Sequence, residues 1–109
     1  MDEVTEMTRP WGYWQVLEVG DGYKVKRLEI LVDNSISLQY HVHRSETWVI
    51  TKGKGRVIVG GNIFTVEAGD TFVVPKTEIH KITNTGSEKL IAIEVQLGEI
   101  CAESDIFRV

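Results

Sequence analysis

Strand-length runs rich in β-branched and aromatic residues fill this chain, and helical periodicity is scarce. Residues 23–32, 35–43, 47–51, 56–59, 63–66 and 90–96 read as strands. Turn clusters separate them: Gly20-Asp21-Gly22, Asp33-Asn34-Ser35, Lys52-Gly53-Lys54-Gly55, Gly60-Gly61-Asn62, Ala68-Gly69-Asp70 and Asn84-Thr85-Gly86. Short strands at this spacing predict an all-β barrel or sandwich rather than βαβ units. With 109 residues, the chain can close one core and has no room for a second domain of ordinary size. Residues 1–8, polar and acidic at their start, are expected to be a mobile segment, with the domain over 9–109.

The formal net charge is −4, with acidic and basic residues interspersed, so the chain carries no electrostatic footprint for nucleic acid or anionic lipid. No apolar run approaches the length of a membrane span, and Met1-Asp2-Glu3 lacks the basic start of a signal peptide. The single cysteine, Cys101, excludes an internal disulfide and a cysteine-rich zinc module, and no basic neighbour marks it as a nucleophile. The expectation is a cytoplasmic protein with a small-molecule partner.

From Ile36 the side chains alternate, with Ile36, Leu38, Tyr40 and Val42 on one face and Ser37, Gln39, His41 and His43 on the other. A second such strand sets Ile91, Ile93 and Val95 against Glu94 and Gln96. In a small barrel such polar rows line a cavity; a solvated edge strand would give the same alternation. His41, His43 and His80 are the only histidines. Residues i and i+2 of a strand share a face about 7 Å apart, close enough for two imidazoles to converge on a cation where the wall curves. Imidazole, carboxylate and amide donors together suit zinc, iron, manganese, cobalt or nickel better than copper(I). Two such histidines on an ordinary strand are more often surface residues than ligands.

At these residues the sequence resembles the cupin superfamily. Its second motif, G-x5-P-x-G-x2-H-x3-N, runs from Gly69 through Pro75 and His80 to Asn84, with Thr77 where the motif has glycine. Its first motif, G-x5-H-x-H-x(3,4)-E-x6-G, fits with Gln39 and His41 as the ligand pair, Glu46 as the acid and Gly53 as the closing glycine. Asp33 then stands in place of the first glycine. A register on His41 and His43 would put Thr47 or Trp48 at the acid position. The resemblance therefore implies Gln39, His41, Glu46 and His80 as metal ligands and a double-stranded β-helix (jelly-roll) barrel.

The Gln-x-His start points to one branch. The block Leu38-Gln39-Tyr40-His41-x-His43-Arg44-x-Glu46-x-Trp48-Val49 is similar to the C-terminal isomerase domain of type II phosphomannose isomerases. So are Arg9-Pro10-Trp11-Gly12, Tyr23-Lys24-Val25-Lys26-Arg27, Glu94-Val95-Gln96-x-Gly98-Glu99 and Asp105-Ile106-x-Arg108. That resemblance implies interconversion of mannose 6-phosphate and fructose 6-phosphate through an enediol. It also implies one divalent metal ion, with zinc first and cobalt, manganese, nickel, iron or magnesium as alternatives, and a homodimer. In that family the domain often follows a guanylyltransferase domain, which 109 residues could not contain, so GDP-mannose synthesis is not expected.

The chemistry asks for a proton carrier and a phosphate clamp. His43 is a candidate carrier, with a fifth ligand or a partner of the ligands as its alternative roles, and Glu94 is a second candidate base. Lys24, Lys26, Arg27, Lys81 and Arg108 are candidates for the phosphate, Arg27 and Arg108 foremost because they lie in family-like blocks. Trp11 and Trp14 are expected to pack at a barrel end, and Arg9 and Pro10 to fix the start of the first strand. The chain departs from the family at Thr47, where histidine is usual, and at Lys81, where arginine is usual. Those departures keep alternatives open: a non-catalytic sugar- or sugar-nucleotide-binding cupin, or a cupin enzyme acting on another small carbohydrate.

Overall fold

Every second residue of the central strands is buried, which is the period-2 pattern of strands with an inside and an outside. The computed structural model describes residues 4–109 and contains only strands among its regular elements. They are β1 (Glu6–Arg9), β2 (Gly12–Gly20), β3 (Tyr23–Ile30), β4 (Gln39–Tyr40), β5 (Ser45–Lys52), β6 (Lys54–Val59), β7 (Asn62–Glu67), β8 (Thr71–Val74), β9 (His80–Asn84), β10 (Leu90–Leu97) and β11 (Phe107–Arg108). They form two antiparallel sheets, ordered β1-β2-β3-β10-β5-β8 and β11-β4-β9-β6-β7. No helix among the described residues is long and apolar enough to cross a membrane. Of the segment expected to be mobile, residues 1–3 lie outside the described residues, while Glu6 to Thr8 pair with β2.

The interior changes character along its length. At one level the inward side chains of the first sheet are Ile30, Leu28, Leu90, Ala92 and Ile50, meeting Val57, Val66 and Ile82 of the second. Two residues further along the same strands the inward positions are Lys26, Glu94 and Trp48, and then Lys24, Gln96 and Glu46. The apolar level supplies the hydrophobic drive to fold. The polar level has to satisfy its own hydrogen bonds, and a binding site results.

The outward faces differ as well. The first sheet presents Val25, Val49, Ile91, Ile93 and Val95, whereas Lys81, Thr83 and Arg56 occupy the outward positions of the second. Thr47 and Lys81, the two departures from the family pattern, sit between buried neighbours on these strands and so face away from the interior. Neither removes an interior group.

The expected strand over 35–43 is not continuous. Ser35 makes one bridge to Thr83, β4 covers only Gln39 and Tyr40, and residues 41–44 leave the ladder. His41 and His43 consequently do not share a strand face: His41 is buried and His43 exposed. Asn84, the motif asparagine, is buried and donates to the carbonyls of Ile30 and Glu88, both at 2.8 Å, tying the two sheets together.

Both non-glycine residues at motif glycine positions hold the left-handed conformation, Asp33 with φ 63° and Thr77 with φ 66°. Aspartate tolerates that region, but a β-branched threonine there is strained by roughly 1–2 kcal/mol. Glycine relieves the strain at a smaller entropic cost. Thr77→Gly is therefore expected to stabilise the protein by about 1 kcal/mol, and Asp33→Gly to change stability by only a few tenths. Urea unfolding checks this; a Thr77→Gly protein with a lowered midpoint would contradict the account.

Candidate metal centre and its cavity

Glu46 occupies the centre of the polar level, 1% exposed. Its Oε1 accepts from the Trp48 indole at 3.0 Å, and its Oε2 accepts from Arg44 Nε at 2.9 Å. His41 Nε2 lies 3.1 Å from Oε2, and His80 Nε2 lies 3.6 Å from Oε1. Burial works against the Glu46 charge, yet contacts with His41, Arg44 and His80 outweigh it and hold the carboxyl far below the usual carboxylate range. Its ligand atom and those of His41 and His80 all fall within 4.8 Å of one another.

Three strands and one loop bring these groups together. Glu46 projects inward from β5, and His80 begins β9 opposite Gln39 of β4. His41 follows β4 in the loop, where its carbonyl accepts from Thr77 N–H at 2.7 Å. Each ring turns Nδ1 toward a backbone carbonyl, His41 to Asp105 at 2.6 Å and His80 to Glu78 at 3.2 Å. His41 Nε2 stands between a donor, Arg44 Nη2 at 3.4 Å, and an acceptor, Glu46 Oε2 at 3.1 Å. With Nδ1 turned to a backbone carbonyl, Nε2 is the nitrogen of each ring that faces the carboxylate. His80 Nε2 is buried without a hydrogen-bond partner, and burial lowers the pKa of His80, favouring the neutral ring. Two imidazole nitrogens and a carboxylate converging in a buried space form a donor set that fits a divalent cation.

The site opens into a cavity of about 310 Å³. Gln39, His41, Glu46 and His80 line it, as do Glu94, Lys26 and Arg108. Glu94 is buried on β10, and its carboxyl accepts from Gln96 Nε2. Burial, reinforced by the nearby Glu46 charge, raises its pKa from 4.5 to about 7. Lys26 Nζ sits 4.1 Å over the Trp14 ring and 2.6 Å from Glu103, which also meets Lys24 at 3.4 Å.

Three sequence candidates face away from the cavity, and a fourth, Lys24, is buried on β3 but does not line it. His43 is exposed and takes part through its backbone N–H, which donates to Asp105 Oδ2 at 2.8 Å. Lys81 faces outward from β9, and Arg27 faces outward from β3, where it pairs with Glu29 at 2.6 Å. None of the three lines the cavity. The proton-carrier role expected of His43 and the phosphate roles expected of Lys81 and Arg27 therefore have no geometric support.

Sequence reasoning missed four groups. Arg44 lay inside the quoted block, but its buried bond to Glu46 did not announce itself. Arg9 lines the cavity in addition to ending β1. Glu103 and Asp105 reach the site from 62 to 79 residues away in sequence from their partners, and Asp105 lay in a family-like block with no role attached. The Asp105 carboxylate accepts from the backbone N–H groups of Val42 and His43; burial opposes its charge, but these two bonds lower its pKa.

The folded protein holds the Glu94 proton more tightly than the unfolded chain does. Stability from this group is therefore lost as pH rises from about 4.5 toward about 7. In the metal-free protein, a side-chain ¹³C titration is expected to place the Glu94 midpoint near 7, and Glu94→Gln to flatten the slope of stability in that window. A midpoint near 4.5 would contradict the assignment.

Comparison with known proteins agrees with this architecture. Over residues 1–109 the chain matches the family described as mannose-6-phosphate isomerase C-terminal. It is 35% identical over 103 residues to a mannose-1-phosphate guanylyltransferase of Salmonella muenchen, covering 94% of this chain and 22% of that protein. It is 34% identical over 103 residues to the alginate biosynthesis protein AlgA of Pseudomonas syringae pv. tomato, covering 94% of this chain and 21% of that protein. The chain thus spans about a fifth of the length of these curated relatives. Among solved structures, Lactobacillus farciminis oxalate decarboxylase superposes with a TM-score of 0.84 at 23% identity, over 96% of this chain and 33% of that one. The cupin domain of Schizosaccharomyces pombe Cnp3 gives 0.74 at 18%, over 79% and 64%. The barrel is a cupin fold, and the chain belongs to the family of mannose-6-phosphate isomerase C-terminal domains.

Proposed function

We propose that this chain is a metal-dependent aldose-ketose isomerase that interconverts mannose 6-phosphate and fructose 6-phosphate. The observation that carries the reading is one cavity holding both a convergent imidazole-carboxylate cluster and a buried carboxyl, Glu94, whose pKa of about 7 suits proton transfer in either direction near neutral pH. Membership of the family adds to it.

Gln39, His41, Glu46 and His80 would hold the cation, and two imidazoles, a carboxylate and an amide favour zinc. When bound, such an ion supplies positive charge that stabilises the oxyanion developing at the sugar carbonyl. Glu94 takes the proton from C2 of the aldose and returns it at C1 of the enediol while the hydroxyl proton passes from O2 to O1, so the carboxyl ends in the state in which it began. Exposed Arg108 and half-buried Arg9 line the same cavity and offer bidentate contacts to the phosphate. Lys26 and Glu103 provide a donor and an acceptor for sugar hydroxyls. Thr47 and Lys81 face outward, so the two departures from the family pattern leave this machinery intact.

The relatives' names favour a second reading. One is a mannose-1-phosphate guanylyltransferase and the other an alginate biosynthesis protein, this chain spans about a fifth of each, and a sugar- or sugar-nucleotide-binding module would match them equally. Stripping the protein with chelator, restoring zinc, cobalt, manganese or magnesium singly, and assaying both directions of the isomerisation separates the two. The isomerase reading predicts metal-dependent turnover. It predicts a fall of roughly two to four powers of ten in kcat for Glu94→Gln with metal retained. Arg108→Ala is expected to act on KM, and His43→Ala to leave turnover near wild type. Metal binding with no turnover on either sugar phosphate would favour the binding module.

A further inference from the structure

Asp105 touches the loop of residues 41–44 three times, although it lies 62 to 64 residues away from its partners in sequence. Its Oδ1 accepts from Val42 N–H at 3.0 Å and its Oδ2 from His43 N–H at 2.8 Å. Its own carbonyl stands 2.6 Å from His41 Nδ1. The residue is 5% exposed, so these are interior bonds. No strand ladder holds the loop here, because β4 stops at Tyr40.

We propose that Asp105 is a positioning residue that holds the His41 ring with Nδ1–H on its own carbonyl and so turns Nε2 to the metal centre. The two carboxylate bonds fasten the backbone that follows His41 against Asp105, which keeps that residue's carbonyl within reach of the ring. With Nδ1–H donated to that carbonyl, Nε2 is the ring nitrogen that faces Glu46 Oε2 and Arg44 Nη2, where a cation would be held. His80 achieves the same orientation with a longer bond to the carbonyl of Glu78, a residue of its own neighbourhood. His41 lacks such a local partner and borrows one from the chain's end. The proposal rests on the reading of His41 as a ligand, although the bond from Nδ1 to the Asp105 carbonyl exists without a metal.

The test uses ¹⁵N-labelled, metal-free full-length protein at pH 8, where long-range ¹H–¹⁵N spectra distinguish the tautomers of each histidine. The expected wild-type spectrum shows His41 with Nδ1 protonated. A His41 whose Nδ1 is bare overturns the proposal without any variant being made. In Asp105→Asn the amide keeps the side-chain size but sets an NH2 against one of the two backbone donors. This variant is expected to turn the His41 signals into a tautomer mixture while His80 keeps its pattern, and to weaken cobalt binding by about 10- to 100-fold. A folded Asp105→Asn protein with unchanged His41 tautomer and cobalt affinity overturns the proposal. If wild-type His41 shows the expected tautomer and the variant loses it, but neither protein takes up cobalt, Asp105 keeps its role and the metal-centre reading falls instead.

Discussion

The buried charge of Glu46 is the constraint around which the polar half of the barrel is arranged. A carboxylate that is 1% exposed persists only if its surroundings replace the water it has lost. Arg44 and Trp48 each donate to one of its two oxygens, and the His41 ring stands 3.1 Å from Oε2. Removing one partner of a buried ion pair of this kind typically costs about 3–5 kcal/mol, because the other charge is left unpaired. Burial raises the pKa of the neighbouring carboxyl, Glu94, and the Glu46 charge beside it adds to the shift. One ionised and one readily protonated carboxyl thus share the polar level.

The scaffold makes that arrangement tolerable by separating it from the core. The inward residues of β3, β5 and β10 change from apolar to polar at matching registers, so Leu90, Ile30 and Ile50 pack at one level and Gln96, Lys24 and Glu46 at another. The apolar level stabilises the barrel without demanding hydrogen bonds, and the polar level can then be shaped for a ligand. Strain is tolerated at the site's edge in the same way. Thr77 adopts a left-handed conformation, and its N–H holds the carbonyl of His41.

Much of this was legible in the sequence because it is local. The alternation of β10 announced that Glu94 and Gln96 share a face, and the spacing of the two cupin-like motifs picked out Gln39, His41, Glu46 and His80, which the fold brings to one cavity. Alternation misled at His43, because it holds only while a strand lasts, and β4 ends at Tyr40. It also carried a warning at Lys81 and Arg27, each one position away from an inward residue. Glu103 and Asp105 were out of reach for a different reason: their partners lie on distant elements, and no periodicity in a short irregular segment tells which way its side chains point.

The central claim is that His41, Glu46 and His80 form a metal centre, and X-ray absorption at the zinc edge on the reconstituted protein tests it most directly. The account predicts one zinc per chain with two imidazole ligands and the remaining ligands oxygen, and loss of the imidazole signature in His80→Ala. A zinc ion surrounded by oxygen alone, or an unchanged spectrum in His80→Ala, would contradict it.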